Sequence, residues 1–216
     1  MFPLQDETRS PSRFPVVTVG IIALNVVVFL LELAGGEEFV LRWSLIPAHF
    51  TVGQQTIAIV TSLFMHGSWS HIIGNMIFLW AFGPEIEDAM NPRRYLAFYV
   101  AGGVVSMLAQ VAASPDSTVP TLGASGAIAA VMGAFLVTYP SDQIRTIVFF
   151  GFFFRVTLIP AALLIGLWFL LQLLNLGAVA DVQSGGVAYV AHVAGIIFGA
   201  VTGRFFEKKK RMSRPA

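Results

Sequence analysis

Apolar runs long enough to cross a lipid bilayer recur along this chain, and no water-soluble domain of its size could bury them all. The first, residues 16–33, is about eighteen mostly apolar residues, enough for one helical crossing. Of 216 residues, 56% are hydrophobic and only 12% charged, where soluble domains carry about a quarter. The expectation is an integral membrane protein. The first fifteen residues lack a secretory cleavage pattern, so the first run is expected to stay as a span. A net charge of +1, with no basic patch interleaved with aromatics, argues against nucleic-acid binding. With no cysteine, disulfides, thiolate catalysis and cysteine metal sites are excluded.

Gly35-Gly36 is expected to end the first span, and residues 39–61 form a mixed loop with Trp43 and Phe50 as headgroup anchors. A second span covers residues 70–82 and stops at Gly83-Pro84, before an acidic turn from Glu85 to Asp88. A third covers residues 95–113, and a fourth runs from Ser125 to Tyr139-Pro140. Residues 144–176 are too long for one crossing, about 50 Å of helix against ~30 Å of hydrocarbon. Arg155 and Pro160 mark a break: Phe149, Phe150, Phe152, Phe153 and Phe154 lie at the interface and residues 156–176 cross. Residues 187–206 make a sixth span. Residues 1–14 are then a short mobile cytoplasmic tail, 15–206 the membrane domain and 207–216 a basic cytoplasmic tail. This topology puts twelve of the thirteen Lys and Arg residues on one side, leaving Arg42 alone on the other. That asymmetry is the positive-inside signature, with both termini cytoplasmic.

A polar side chain within a span is costly, so such residues face a cavity or one another. Ser125 stands in Gly123-Ala-Ser125-Gly126, which suits a nucleophile on a tight turn opening a helix, and equally a close-packed helix contact. His192 shares a helix face with Gly195, Gly199 and Gly203, and the segment after Ser125 offers Gly126, Ala130, Gly133 and Ala134. The two helices are expected to pack tightly, antiparallel, with serine and histidine at one depth: a nucleophile–base pair, or a histidine satisfied across a packed interface. His71 and Asn75, at i and i+4, share a face of the second span. Asn75 would donate beside the Ser125 amide to an oxyanion, or tie helices together. His66 reads as loop support, and Asn25, Gln110, Gln172 and Asn175 are lesser candidates.

Residues 61–203 resemble the rhomboid family of intramembrane serine proteases. The resemblance rests on His71-x-x-x-Asn75, Gly-Pro-Glu-Ile-Glu ending at Glu87, Gly-Ala-Ser125-Gly and Ala-His192-Val-Ala-Gly195, in this order. It implies an all-α six-helix bundle of prokaryotic type in the cell membrane. Ser125 would be the nucleophile, His192 the general base of a dyad without a carboxylate, and Asn75, His71 and the Ser125 amide the oxyanion site. It implies no cofactor and no metal, and as partners the lipid bilayer and membrane-protein substrates with a transmembrane segment. Three positions depart from the pattern: no Trp-Arg pair stands in the first loop, Ala129 replaces an aromatic that stacks on the histidine, and Asn91 replaces a glycine.

Two other readings compete. An inactive relative that binds transmembrane segments would be expected to lack the serine or the histidine, and both are present. A transporter would show buried ion pairs or a repeat, and Glu32 is the only candidate carboxylate. His71 and Asn75 do not form the His-Glu-x-x-His pair of a metalloprotease.

Overall fold

The computed structural model describes residues 1–151, 153–178 and 188–208. Phe152, Val187 and the basic tail from residue 209 lie outside the described residues. The elements in chain order are β1 (Phe2–Asp6), α1 (Val16–Trp43), α2 (Pro47–Thr51), α3 (Ala58–Thr61), α4 (Trp69–Met90), α5 (Pro92–Ala113), α6 (Ser125–Thr138), β2 (Gln143–Phe150), β3 (Phe153–Pro160), α7 (Ala161–Ala178) and α8 (Tyr189–Phe206). The protein is a helical membrane bundle. Helices α1, α5 and α8 are long and apolar enough to cross a membrane, and α6 and α7 contribute shorter apolar helices.

α6 is the axis of the bundle. Every residue from Gly126 to Phe135 is buried, as befits a helix that is apolar all round. Its tightest neighbour is α8. A Cβ added at Gly199 would run into the Ala130 carbonyl, one at Gly133 into that of Ile196, and one at Gly195 into that of Gly126. Only hydrogen fits at these positions, so the two backbones touch. The contacts climb in step, from Gly126 against Gly195 to Ala134 against Gly203, so the helices run parallel. The expected antiparallel arrangement is therefore corrected. Two crossing helices with a single crossing between them, here α7, share a direction.

Of two predicted breaks, one is a kink and the other is absorbed into a longer helix. α1 kinks at Gly36, where the first span was expected to end and where a φ of 61° and ψ of −151° suit glycine alone, and helix resumes beyond it to Trp43. α4 continues through Pro84, which forfeits one backbone hydrogen bond. The acidic stretch after it is thus helical rather than a turn, because both Ile86 and Glu87 find buried partners on that side of the bundle. Glu87 has a specific task. Pro15 at the N-cap of α1 has no side-chain acceptor, so the first amides of that helix need one from elsewhere. The Glu87 carboxylate accepts from Val17 N at 3.0 Å, Thr18 N at 2.8 Å and Thr18 Oγ1 at 2.8 Å. Negative charge at a helix N-terminus is also favoured by the helix dipole. Asn91 then turns α4 into α5 at φ 76°, and its Oδ1 accepts from Arg94 N.

The bundle also carries a small antiparallel sheet in the order β1-β2-β3, at the end of α6 far from Ser125. This corrects two expectations, that the N-terminal tail is mobile and that residues 156–160 begin a crossing. β1 pairs with β2 through Phe2↔Ile147 and Asp6↔Ile144, and β2 with β3 through Thr146↔Thr157. Along β2, Ile144 and Thr146 are buried while Arg145 between them is exposed, a period of two that suits a half-covered strand. Gly151, at φ 64°, makes the turn, and α7 starts only after Pro160. Phe149, Phe153 and Phe154 remain exposed on the hairpin.

β1 is held by Asp6, which is buried and accepts from Thr8 N at 2.8 Å. Arg9 bonds Asp142 at 2.9 Å and lies 4.0 Å over the Tyr139 ring. Burial pushes the Asp6 carboxyl up to about 6, against the pull of the Thr8 amide and with help from the Asp142 carboxylate. The folded chain therefore keeps a proton that an unfolded one releases above about 4, so this contribution to stability is lost as pH rises from about 4 to about 6. Amide exchange in β1, corrected for its intrinsic pH dependence, is expected to be slower at pH 5 than at pH 7.5, and Asp6→Asn to remove the difference. Glu87→Ala should lower unfolding free energy by about 2–3 kcal/mol, because it strands buried donors that now bond a charged group; denaturant titration in detergent measures it.

Candidate active site

Ser125 is the first residue of α6, and the loop before it is pinned from two sides. Leu45 and Thr121 exchange backbone hydrogen bonds at 3.1 and 2.7 Å, and Gly123 N donates to Ser62 O at 2.9 Å. Gly123 sits at φ 133°, and a Cβ there would stand 2.9 Å from His71 Nε2 and 3.6 Å from Ser125 Oγ. Glycine thus permits both the turn and the close passage of His71. At fourteen residues α6 is about 21 Å long, shorter than the ~30 Å of bilayer hydrocarbon. Ser125 itself is partly exposed, not sealed in the core.

The glycine contact between α6 and α8 delivers His192 to this serine. His192 Nε2 lies 2.7 Å from Ser125 Oγ, and Nδ1 lies 2.8 Å from Gln172 Oε1 on α7. Trp168, one turn before Gln172, lies against the imidazole with ring centroids 5.4 Å apart and planes at 41°. Ala129 faces α8, its Cβ 3.0 Å from where a Gly195 Cβ would be. A larger side chain at 129 would wedge the helices apart, so the aromatic partner comes instead from α7. A serine hydroxyl at hydrogen-bond distance from an imidazole nitrogen is the geometry for proton transfer between them.

α4 brings the donors. Its start is set by Ser68, whose hydroxyl accepts from His71 N at 3.2 Å. Asn75, one turn on, is buried, and its Nδ2 has no partner among the described residues. His66 stacks edge-on to His71 with centroids 5.0 Å apart, and its backbone N–H donates to both oxygens of Glu32, each at 3.1 Å. Glu32 lies one turn before the Gly36 kink of α1, and it anchors this loop. The lesser candidates divide. Asn25 and Asn175 donate to carbonyls four residues back on their own helices, Ile21 and Leu171, and Gln110 Oε1 is buried without a partner among the described residues. Gln172 alone among them reaches His192. Trp168 was missed by sequence reasoning; its i, i+4 spacing with Gln172 on a largely aliphatic segment was the available signal.

A Rhomboid domain model matches residues 53–209. "Rhomboid protein 1, mitochondrial" of Saccharomyces cerevisiae is 27% identical over 90% of this chain and 54% of its own length. "Rhomboid protease GluP" of Bacillus subtilis is 30% identical over 62% of this chain and 27% of its own. "Presenilin-associated rhomboid-like protein A, mitochondrial" of Danio rerio is 32% identical over 58% of this chain and 33% of its own. The chain spans about half the length, or less, of these relatives. The matched domain takes in α4, Ser125, Gln172 and His192 together, and the chain belongs to the Rhomboid family.

Proposed function

We propose that this chain is an intramembrane serine endopeptidase that cleaves transmembrane or juxtamembrane segments of membrane proteins. The observation that carries the proposal is the 2.7 Å contact between His192 Nε2 and Ser125 Oγ, held by helices that can approach only through glycine. In this reading His192 Nε2 takes the hydroxyl proton as Ser125 Oγ attacks the scissile carbonyl. The oxyanion of the tetrahedral intermediate is met by the Ser125 amide at the uncapped start of α6, by Asn75 Nδ2 and by His71. The imidazolium returns the proton to the leaving amine, and the acyl-enzyme forms. Water, activated in turn by His192, releases the second product.

The Nδ2 of Asn75, without a partner among the described residues, supports the oxyanion role, since a buried donor without an acceptor costs stability and a ligand group would satisfy it. Water is a reactant, and a short α6 with a partly exposed serine allows it to reach the site. A substrate helix must give up its own hydrogen bonds at the scissile bond, so small or helix-breaking residues there should favour cleavage. We further read the chain as six crossings in a prokaryotic cell membrane with both termini cytoplasmic. Support comes from the clustering of basic residues and from the matching direction of α6 and α8.

A fluorophosphonate is expected to label the detergent-solubilised protein and to fail on Ser125→Ala; labelling retained in that variant overturns the assignment. Cleavage of a tagged single-span substrate should vanish in both Ser125→Ala and His192→Ala. A wild-type chain that binds the substrate without cutting it would instead identify an inactive member. Asn75→Ala should keep substrate affinity and lose about 10²–10³ in kcat.

A further inference from the structure

We infer that Gln172 fixes the tautomer of His192 and so acts as a positioning residue for the reaction proposed above, on which this inference rests. A glutamine amide has one accepting end and one donating end. Here Nε2 donates to the Trp168 carbonyl at 3.4 Å, one turn back on α7, so Oε1 is the end that faces His192 Nδ1 at 2.8 Å. A carbonyl oxygen only accepts. Nδ1 therefore carries the imidazole proton, and the lone pair lies on Nε2, 2.7 Å from Ser125 Oγ. The serine hydroxyl then donates to that lone pair, as a general base requires.

The choice of an amide follows from where it stands. Gln172 is 8% exposed on an apolar helix, where a carboxylate would place a costly charge in the bilayer. A neutral acceptor selects the same tautomer at lower cost. Trp168 completes the arrangement by covering the face of the ring while Gln172 holds its edge. One helix thus supplies both restraints on the imidazole, in the place left open by Ala129.

The test compares Gln172→Leu, which keeps bulk and removes the acceptor, with Gln172→Glu, which restores an accepting oxygen at the same reach. Gln172→Leu is expected to fold, to keep KM for a tagged single-span substrate, and to lose about 10–100-fold in kcat, the range typical when a group orienting a functional histidine is removed. Gln172→Glu should return kcat to within a few-fold of wild type. Nitrogen NMR of 15N-histidine-labelled protein, with the His192 signals assigned by His192→Ala, should show the proton on Nδ1 in the wild type and a mixture or the other tautomer in Gln172→Leu. An unchanged kcat in Gln172→Leu, or wild-type protein with the proton on Nε2, overturns the inference. Failure of the wild type to cleave or to take the fluorophosphonate overturns the protease reading instead, and the NMR result still decides the tautomer.

Discussion

The contact on which the structure depends is the bare-backbone seam between α6 and α8. Lipid offers no hydrophobic drive to press two apolar helices together, so they associate by close packing and by the polar groups they share. Gly133, Gly195 and Gly199 stand where a side chain would hold the backbones apart. Packing of this kind has few degrees of freedom. A helix that can dock only along one glycine stripe is fixed in rotation and in height, and those two quantities decide whether His192 meets Ser125. The seam is thus both the centre of the fold and the device that aligns the site.

Around it, buried charge is used as fastening rather than as chemistry. Glu87 on α4 closes the start of α1, and Glu32 on α1 closes the loop ahead of α4. Each carboxylate meets backbone donors that would otherwise be unpaired in an apolar surrounding, which makes an ionisable group tolerable at that depth. The two together tie α1 to α4 at separate heights. α4, which carries His71 and Asn75, is therefore held against rotation by a helix that contributes nothing directly to the site.

Much of this was legible in the residues because membrane helices announce themselves by composition and pack by size. The matching small-residue stripes around Ser125 and His192 could be seen before any coordinates, and the geometry places them in contact. What escaped has physical reasons. Helix direction was misjudged although the number of crossings determines it. Pro84 is a breaker by local preference, yet α4 carries through because the buried contacts of Ile86 and Glu87 beyond it outweigh one lost bond. The sheet was hidden because its strands β1 and β2 are separated by all the helices from α1 to α6, and pairing at that distance leaves no local trace. Gln172 looked like one buried amide among several; only the orientation of its own back-bond to Trp168 distinguishes it.

The Asn91 corner sets a length scale. A single residue ends α4 and begins α5, so the two helices form a hairpin without slack. Counted from that corner, Asn75 lies sixteen residues back and Ser106 fifteen residues forward, arms of about 24 and 22 Å at helical rise. Ser106 is the residue that packs against Gly126, with 2.5 Å between its Cβ and a Cβ built at that glycine. Two equal arms swung from one pivot end at the same level, so seating Ser106 beside the residue after Ser125 also brings Asn75 to the serine's depth. The corner is a pair of dividers, and the height of a donor on one helix is measured out by the packing of the next.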